Sequence, residues 1–191
     1  MLRSSKSPAM NPYFRPRRSM LYVPGCNARY LNKARTLRVD SVILDLGDPI
    51  LVEMKVESRR LVVEAVLAGG YGRREVVVRV NDLDSPWGPE DVQAVARTGA
   101  DALLFPNIES RADVENALKA LDAAGGAHLP VMLLIESPIG VLRAEEISAR
   151  ELPPTSLREV AALSYEVPSL TKFSDMAQFL ALDPPLPSLE P

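Results

Sequence analysis

Two kinds of hydrophobic pattern alternate along the chain. Short, nearly continuous aliphatic runs stand at Ser19–Val23, Ser41–Leu46 (SVILDL), Glu75–Val80 (EVVVRV), Ala102–Phe105 (ALLF) and Pro130–Ile135. Runs of this kind predict strands covered on both faces, as in parallel sheets. Between them, apolar residues recur near helical spacing, as at Tyr30, Leu31, Ala34 and Leu37 or at Met54, Leu61, Val62 and Ala65. The spacing predicts helices from Asn27 as cap through Arg38, over Glu53–Leu67, and from Pro89-Glu90 to Arg97. Two more are expected, from Ser110 to about Ala124 with Asp113 in the capping-box position, and over Val141–Ala149. Gly69-Gly70 and Gly125-Gly126 act as stops. Five βα units in sequence predict an α/β fold with right-handed crossovers.

The pattern weakens after Arg150. Val160–Tyr165 reads as a sixth strand and Ser174–Leu180 as a short helix, while the tail DPPLPSLEP suits neither. The expected organisation is a flexible basic arm (1–18), a βα core (19–150) and a proline-rich C-terminal segment (151–191). A (β/α)8 barrel usually runs to about 250 residues. Five to six units therefore describe either an open sheet or a shortened barrel.

Polar residues inside this core gather at the carboxyl ends of the strands. The second strand ends at Asp45 and Asp48, the third at Arg79 and Asn81, the fourth at Asn107 and Glu109, and the fifth at Glu136. Barrels and open parallel sheets bind their ligands at that end. Carboxylates converging with an arginine describe a site for a hard cation and a carboxylate substrate, since acidic oxygens suit Mg²⁺ and arginine offers a planar fork. Structural alternatives stand beside this. Asp45 would serve as a helix cap, Arg79 as the cation of a buried salt bridge to Asp45 or Glu136, and Glu109 as an acid at a helix start.

Composition narrows the classes further. With 191 residues, 47% hydrophobic and 25% charged, the chain is long and apolar enough to bury a core. A net charge of -3 gives no global attraction to nucleic acid or anionic membranes. The apolar runs are strand-sized, far short of the roughly 20 residues that cross a bilayer. One cysteine, Cys26, excludes an internal disulfide and favours a reducing compartment, taken as the cytoplasm. Residues 1–18 carry Arg3, Lys6, Arg15, Arg17 and Arg18 without an acid, so a transit peptide to the mitochondrial matrix stands as the alternative to a flexible arm. His128 is the single histidine, which leaves a Ser/His/Asp triad without an obvious base. The GGYGRR stretch at 69–74 follows a helix instead of a strand, unlike a dinucleotide fingerprint.

Five strand-end segments, in order, resemble one family: RRSMLYVPGCNARYLNKA, VILDLGD followed by Lys55 and Arg59, VVVRVN, LFPNIES, and LLIESPIGVLRAEEI. They are similar to the HpcH/HpaI aldolase/citrate lyase family, closest to its citrate lyase β-subunit-like branch with citryl-CoA and malyl-CoA lyases. The resemblance implies a (β/α)8 barrel, here incomplete with five to six βα units, usually oligomeric. It implies Mg²⁺-dependent cleavage of a 3-hydroxy-acyl thioester into an oxoacid and an acyl thioester. On that pattern Glu136 is the metal ligand, and Arg79 holds substrate oxygens and offsets enolate charge. Asp45 and Asp48 form the acidic catalytic cluster, and Arg29 and Lys33 face the acyl-CoA or acyl-carrier thioester. A metal and an arginine stabilise a developing oxyanion without proton transfer.

Three positions depart from the family pattern. Gly47 stands where DLED has a glutamate, Asn107 where a lysine is usual, and Ser169 where an aspartate supplies a second metal carboxylate. The alternative function is accordingly a non-catalytic binding or assembly module, a homo-oligomer or a partner of a full-length relative. A truncated or frameshifted reading frame is a third expectation.

Overall fold

A computed structural model describes residues 17–47 and 50–148, together with the backbone of Val160–Tyr165. The strands are β1 (Met20–Pro24), β2 (Ser41–Asp45), β3 (Glu75–Arg79), β4 (Ala102–Phe105), β5 (Val131–Ile135) and β6 (Val160–Tyr165). The helices between them are α1 (Ala28–Ala34), α2 (Lys55–Ala68), α3 (Gly88–Val95), α4 (Arg111–Ala123), α5 (Pro138–Leu142) and α6 (Ala144–Ser148). All paired strands are parallel, and the sheet order is β1-β2-β3-β4-β5-β6. Sequential parallel strands joined by helices are the wall of a (β/α)8-type barrel, which among the described residues comprises six staves.

The two faces of the sheet bury different things. On one, Val42, Leu44, Val78, Leu103, Phe105 and Leu133 pack against Val62, Val92, Val95 and Leu121 of the helices. The other holds strand residues alone, Ile43, Val77, Ala102, Leu104, Met132 and Leu134, with Met20 and Tyr22 packed against them. The strands read as continuous apolar runs because both faces are covered.

Along β2 and β3 the inner face is tiered. Ser41 pairs with Glu75, Ile43 with Val77, and Asp45 with Arg79. The polar tiers close the two ends of an apolar middle. At the amino ends, the Arg17 Nε and Nη2 donate to the two Glu75 carboxylate oxygens at 2.6 Å each, and the Ser41 hydroxyl donates to Oε2 at 2.6 Å. At the carboxyl ends lie Asp45 and Arg79. Gly25, after β1, donates its N–H to the Asp45 carbonyl at 2.8 Å. A Cβ there would stand 2.7 Å from that same oxygen, so only glycine fits.

Local signals explain the starts of α1 and α4. The Asn27 side chain accepts from the Arg29 and Tyr30 amides, and the Ser110 hydroxyl accepts from the Asp113 amide while Asp113 accepts from the Glu109 amide. Two helices differ from expectation. The first stops at Ala34, where the Thr36 amide and hydroxyl both donate to the Lys33 carbonyl and tighten the last turn. The expected Val141–Ala149 helix is instead α5 and α6, because Ser137 caps Gly140 with Pro138 at the first turn, and Arg143 breaks the helical path.

Two tests follow from the floor of the sheet. Arg17→Met is expected to cost about 3 kcal/mol in denaturant unfolding, because it removes the cation facing the buried Glu75 carboxylate. Nearby, Asp40 accepts from the Arg18 guanidinium (2.8 Å to Nη2) and from the Arg18 and Ser19 amides. The guanidinium bond holds its carboxyl down at about 2. A carboxyl more acidic folded than unfolded stabilises fully above the unfolded value of about 3.9, and the effect is lost as pH falls further. Asp40→Asn should flatten the fall in melting temperature as pH drops from about 4 towards 2.

Candidate functional site

Arg79 ends β3 on the inner face and is 5% exposed. Register places Asp45, the last residue of β2, directly beside it. Glu136 follows β5 by one residue. The guanidinium bridges the two carboxylates, with Nη1 3.5 Å from Asp45 Oδ2 and Nη2 3.4 Å from Glu136 Oε2. Both contacts are longer than the roughly 2.7–2.9 Å of a tight charge-assisted bond. The cation is braced from two sides without being clamped to either.

Each carboxylate is also held by backbone. The Gly47 amide donates to Asp45 Oδ1 at 2.7 Å, and the Asn107 amide donates to Glu136 Oε1 at 2.9 Å. Asn107 has φ 54°, a left-handed conformation that asparagine tolerates better than most residues. That turn aims its N–H at Glu136 and lets its side-chain amide donate to Asp82 Oδ2 at 2.8 Å. The loops after β3 and β4 and the end of β5 are tied together this way. Beside them opens a cavity of about 340 Å³ whose wall includes Asp82, Asp84, Asn107, Glu109 and Asp113.

A further group supports the turn after β2. The Lys55 ammonium donates to the carbonyls of Leu46 and Gly47 and to Asn81 Oδ1. Asn81 donates to Asp91, which also accepts from Arg59. Sequence reasoning gave Lys55 no role. The available signal was a lysine at the buried start of an amphipathic helix, following a strand end rich in acids.

Of the expected site residues, the structure brings Asp45, Arg79 and Glu136 together. Arg29 and Lys33 lie exposed, about one turn apart on α1. Asp48 and Ser169 fall outside the described residues. Glu109 lies on the cavity wall, with its amide bound to Asp113. His128 is exposed.

The donor chemistry fits a hard cation at one point. Glu136 offers carboxylate oxygens at the mouth of the sheet, with its side chain 17% exposed. Among the described residues, no group of three or more His, Cys, Asp or Glu gathers to hold a metal ion. Mg²⁺ is commonly held by one or two carboxylates, with water and substrate oxygens completing the shell. Glu136 suits the first of these places.

Comparison with known proteins follows the same stretch of chain. The family described as HpcH/HpaI aldolase/citrate lyase matches residues 18–162. A (3S)-malyl-CoA thioesterase from Cereibacter sphaeroides is 40% identical over 134 residues, covering 70% of this chain and 45% of that protein. The citrate lyase subunit beta of Escherichia coli is 38% identical over 140 residues, covering 70% and 46%. The chain thus spans about half the length of the curated relatives it matches. A citrate lyase beta subunit from M. tuberculosis, solved with oxaloacetate and magnesium, superposes with a TM-score of 0.57 at 25% identity, over 76% of this chain and 56% of that one. The Haloferax volcanii malate synthase in its magnesium/glyoxylate complex shares the fold, with a TM-score of 0.63 at 20% identity over 75% and 49%.

The geometry ranks the two carboxylates around Arg79. Asp45→Ala is expected to cost about 3 kcal/mol, since it removes a buried partner of the guanidinium and the acceptor of the Gly47 amide. Glu136→Gln keeps an oxygen for the Asn107 amide at a partly exposed position and should cost about 1 kcal/mol without metal. Urea unfolding of both variants checks the order.

Proposed function

The chain belongs to the HpcH/HpaI aldolase/citrate lyase family, and on that premise we propose that it acts as a Mg²⁺-dependent carbon–carbon lyase on a 3-hydroxy-acyl thioester, releasing an oxoacid and an acyl thioester. The observation that carries the reading is Arg79 braced between Asp45 and Glu136 on the inner face, at the end of the sheet where parallel α/β folds bind ligands. The M. tuberculosis citrate lyase beta subunit solved with oxaloacetate and magnesium supports the same ligand class.

In the proposed reaction the bond between the thioester α-carbon and the carbinol carbon breaks. The hydroxyl proton passes to solvent, its oxygen becomes the oxoacid carbonyl, and the bonding electron pair passes to the thioester as an enolate that solvent then protonates at the α-carbon. Arg79 presents its planar fork to the oxoacid carboxylate and offsets the negative oxygen that develops. Asp45 keeps the guanidinium aimed through its contact at 3.5 Å. Glu136 would hold Mg²⁺, which when bound supplies electrophilic polarisation of the oxoacid oxygens. Asp48 is proposed as the second acid of the cluster. Arg29 and Lys33 give α1 an exposed cationic face for a phosphate-bearing acyl carrier. No helix among the described residues is long and apolar enough to cross a membrane.

One comparison favours a second reading, because the relative that is 40% identical is named a thioesterase. The products separate the two. With malyl-CoA and Mg²⁺, carbon–carbon cleavage yields glyoxylate and acetyl-CoA, whereas hydrolysis yields malate and free CoA.

Cleavage is expected, together with a melting temperature that rises with Mg²⁺ more steeply when oxaloacetate is present, since ligand binding adds RT ln(1 + [L]/Kd) to stability. Arg79→Lys should weaken oxaloacetate binding by about tenfold or more, because lysine cannot supply the bidentate fork. Absence of turnover with citryl-CoA and malyl-CoA, joined to a flat Mg²⁺ series with and without oxaloacetate, would leave the non-catalytic binding module as the reading.

A further inference from the structure

Lys55 is a buried cation, 7% exposed, with no part in the chemistry proposed above. Its Nζ donates to the Leu46 carbonyl at 3.0 Å, the Gly47 carbonyl at 2.7 Å and Asn81 Oδ1 at 2.6 Å. It also stands 5.7 Å from the centre of the Trp87 ring. We propose that Lys55 is a positioning residue for Arg79, acting through the turn that leaves β2.

The lever is a single peptide group. The Leu46 carbonyl and the Gly47 N–H belong to one planar unit and point in opposite directions. Lys55 holds the carbonyl end, and the N–H end donates to Asp45 Oδ1 at 2.7 Å. The other oxygen of Asp45 faces the Arg79 guanidinium at 3.5 Å. A shift of that peptide therefore turns the Asp45 carboxylate and with it the guanidinium.

A second arm reaches the same strand end. Asn81 lies two residues beyond Arg79, and its backbone and side-chain N–H groups donate to Asp91 Oδ2 at 3.0 and 2.6 Å. Arg59 holds Asp91 Oδ1 at 2.6 Å, so the asparagine oxygen is left facing Lys55. An ammonium suits this place because it is a compact charge whose donors can meet several oxygens converging on one point. Burial of such a charge is costly unless it is hydrogen-bonded, so displacing any of these acceptors is penalised. The stiffness of the turn follows from that penalty.

The inference rests on the reading of Arg79 as the arginine that takes an oxoacid carboxylate, and the test separates the two. The full chain and its Lys55→Met variant are compared by hydrogen exchange at the Gly47 amide and by calorimetry with oxalate. The expected result is exchange at Gly47 faster by at least about tenfold, with the Val42 and Val78 amides as protected as before. Oxalate affinity should fall by about tenfold or more, and Lys55→Arg should recover part of both losses. Leu121→Ala, in the α4 core, serves as a control that lowers the melting temperature and leaves Gly47 exchange and oxalate affinity unchanged. A folded Lys55→Met with both readings unchanged overturns the inference, as does a Leu121→Ala control that changes both equally. Should Lys55→Met fail to fold, Lys55→Gln is measured in the same way, and no change in it has the same consequence. If the unaltered chain binds no oxalate, the carboxylate reading of Arg79 fails, and the Gly47 exchange alone decides whether Lys55 positions the turn.

Discussion

A guanidinium buried at the end of β3 is the constraint on which the carboxyl end of this sheet depends. An arginine that is 5% exposed must meet opposite charge or lose stability. Parallel register supplies Asp45 at its side, and β5 supplies Glu136. The backbone then arranges itself to hold those two carboxylates, through the Gly47 amide on one and the Asn107 amide on the other. The left-handed turn at Asn107 is a local cost accepted for the second of these bonds. Contacts of 3.4 Å to Glu136 and 3.5 Å to Asp45 hold the guanidinium between these two carboxylates.

The opposite end of the same two strands is built differently from the same materials. Ser41, Ile43 and Asp45 alternate with the helix-facing Val42 and Leu44, and Glu75, Val77 and Arg79 do likewise around Val76 and Val78. One parity therefore places a polar or charged residue at both ends of each apolar middle. At the floor, Arg17, Ser41 and Glu75 close at 2.6 Å. At the mouth, the corresponding contacts are almost 1 Å longer. Barrel folds divide their tasks in this way, with stability at the amino ends of the strands and ligand sites at the carboxyl ends.

Much of this is legible in the amino-acid sequence. Continuous aliphatic runs located β1 to β5, and a weaker pattern marked β6, because burial of a sheet removes polar residues from a strand's interior. Asn27 and Ser110 marked their helix starts through side-chain caps that depend on immediate neighbours. The polar strand ends pointed to Asp45, Arg79 and Glu136, which the structure brings together. What escaped depends on distance along the chain. Lys55 reaches Asn81 across 26 positions, and Arg17 reaches Glu75 across 58. Charged residues near an element end read as solvated until the fold shows what they face. The helix expected at Val141–Ala149 failed for a local reason, since Ser137 and Pro138 start a turn earlier than the apolar spacing suggests.

Gly47 shows how closely the site and the turn are coupled. Its backbone is outside the left-handed region, so no conformational demand requires glycine there. The space around it is the limiting factor. A Cβ would stand 3.2 Å from Asp45 Oδ1 and 3.3 Å from the Arg79 Nε, tight enough that one neighbour must give way by a few tenths of an ångström. Asp45 Oδ1 is already bound to the Gly47 amide, and the Gly47 carbonyl is bound to Lys55. A side chain added there would press on Asp45 or on the Arg79 guanidinium, each of which is already bonded. A glycine at this position therefore leaves Arg79 the room that any side chain would take. The acid usual in DLED would bring a further carboxylate close to the same cation. With glycine there, the β2 turn and the Asp45 and Glu136 carboxylates bear on the orientation of Arg79 without a side chain from position 47.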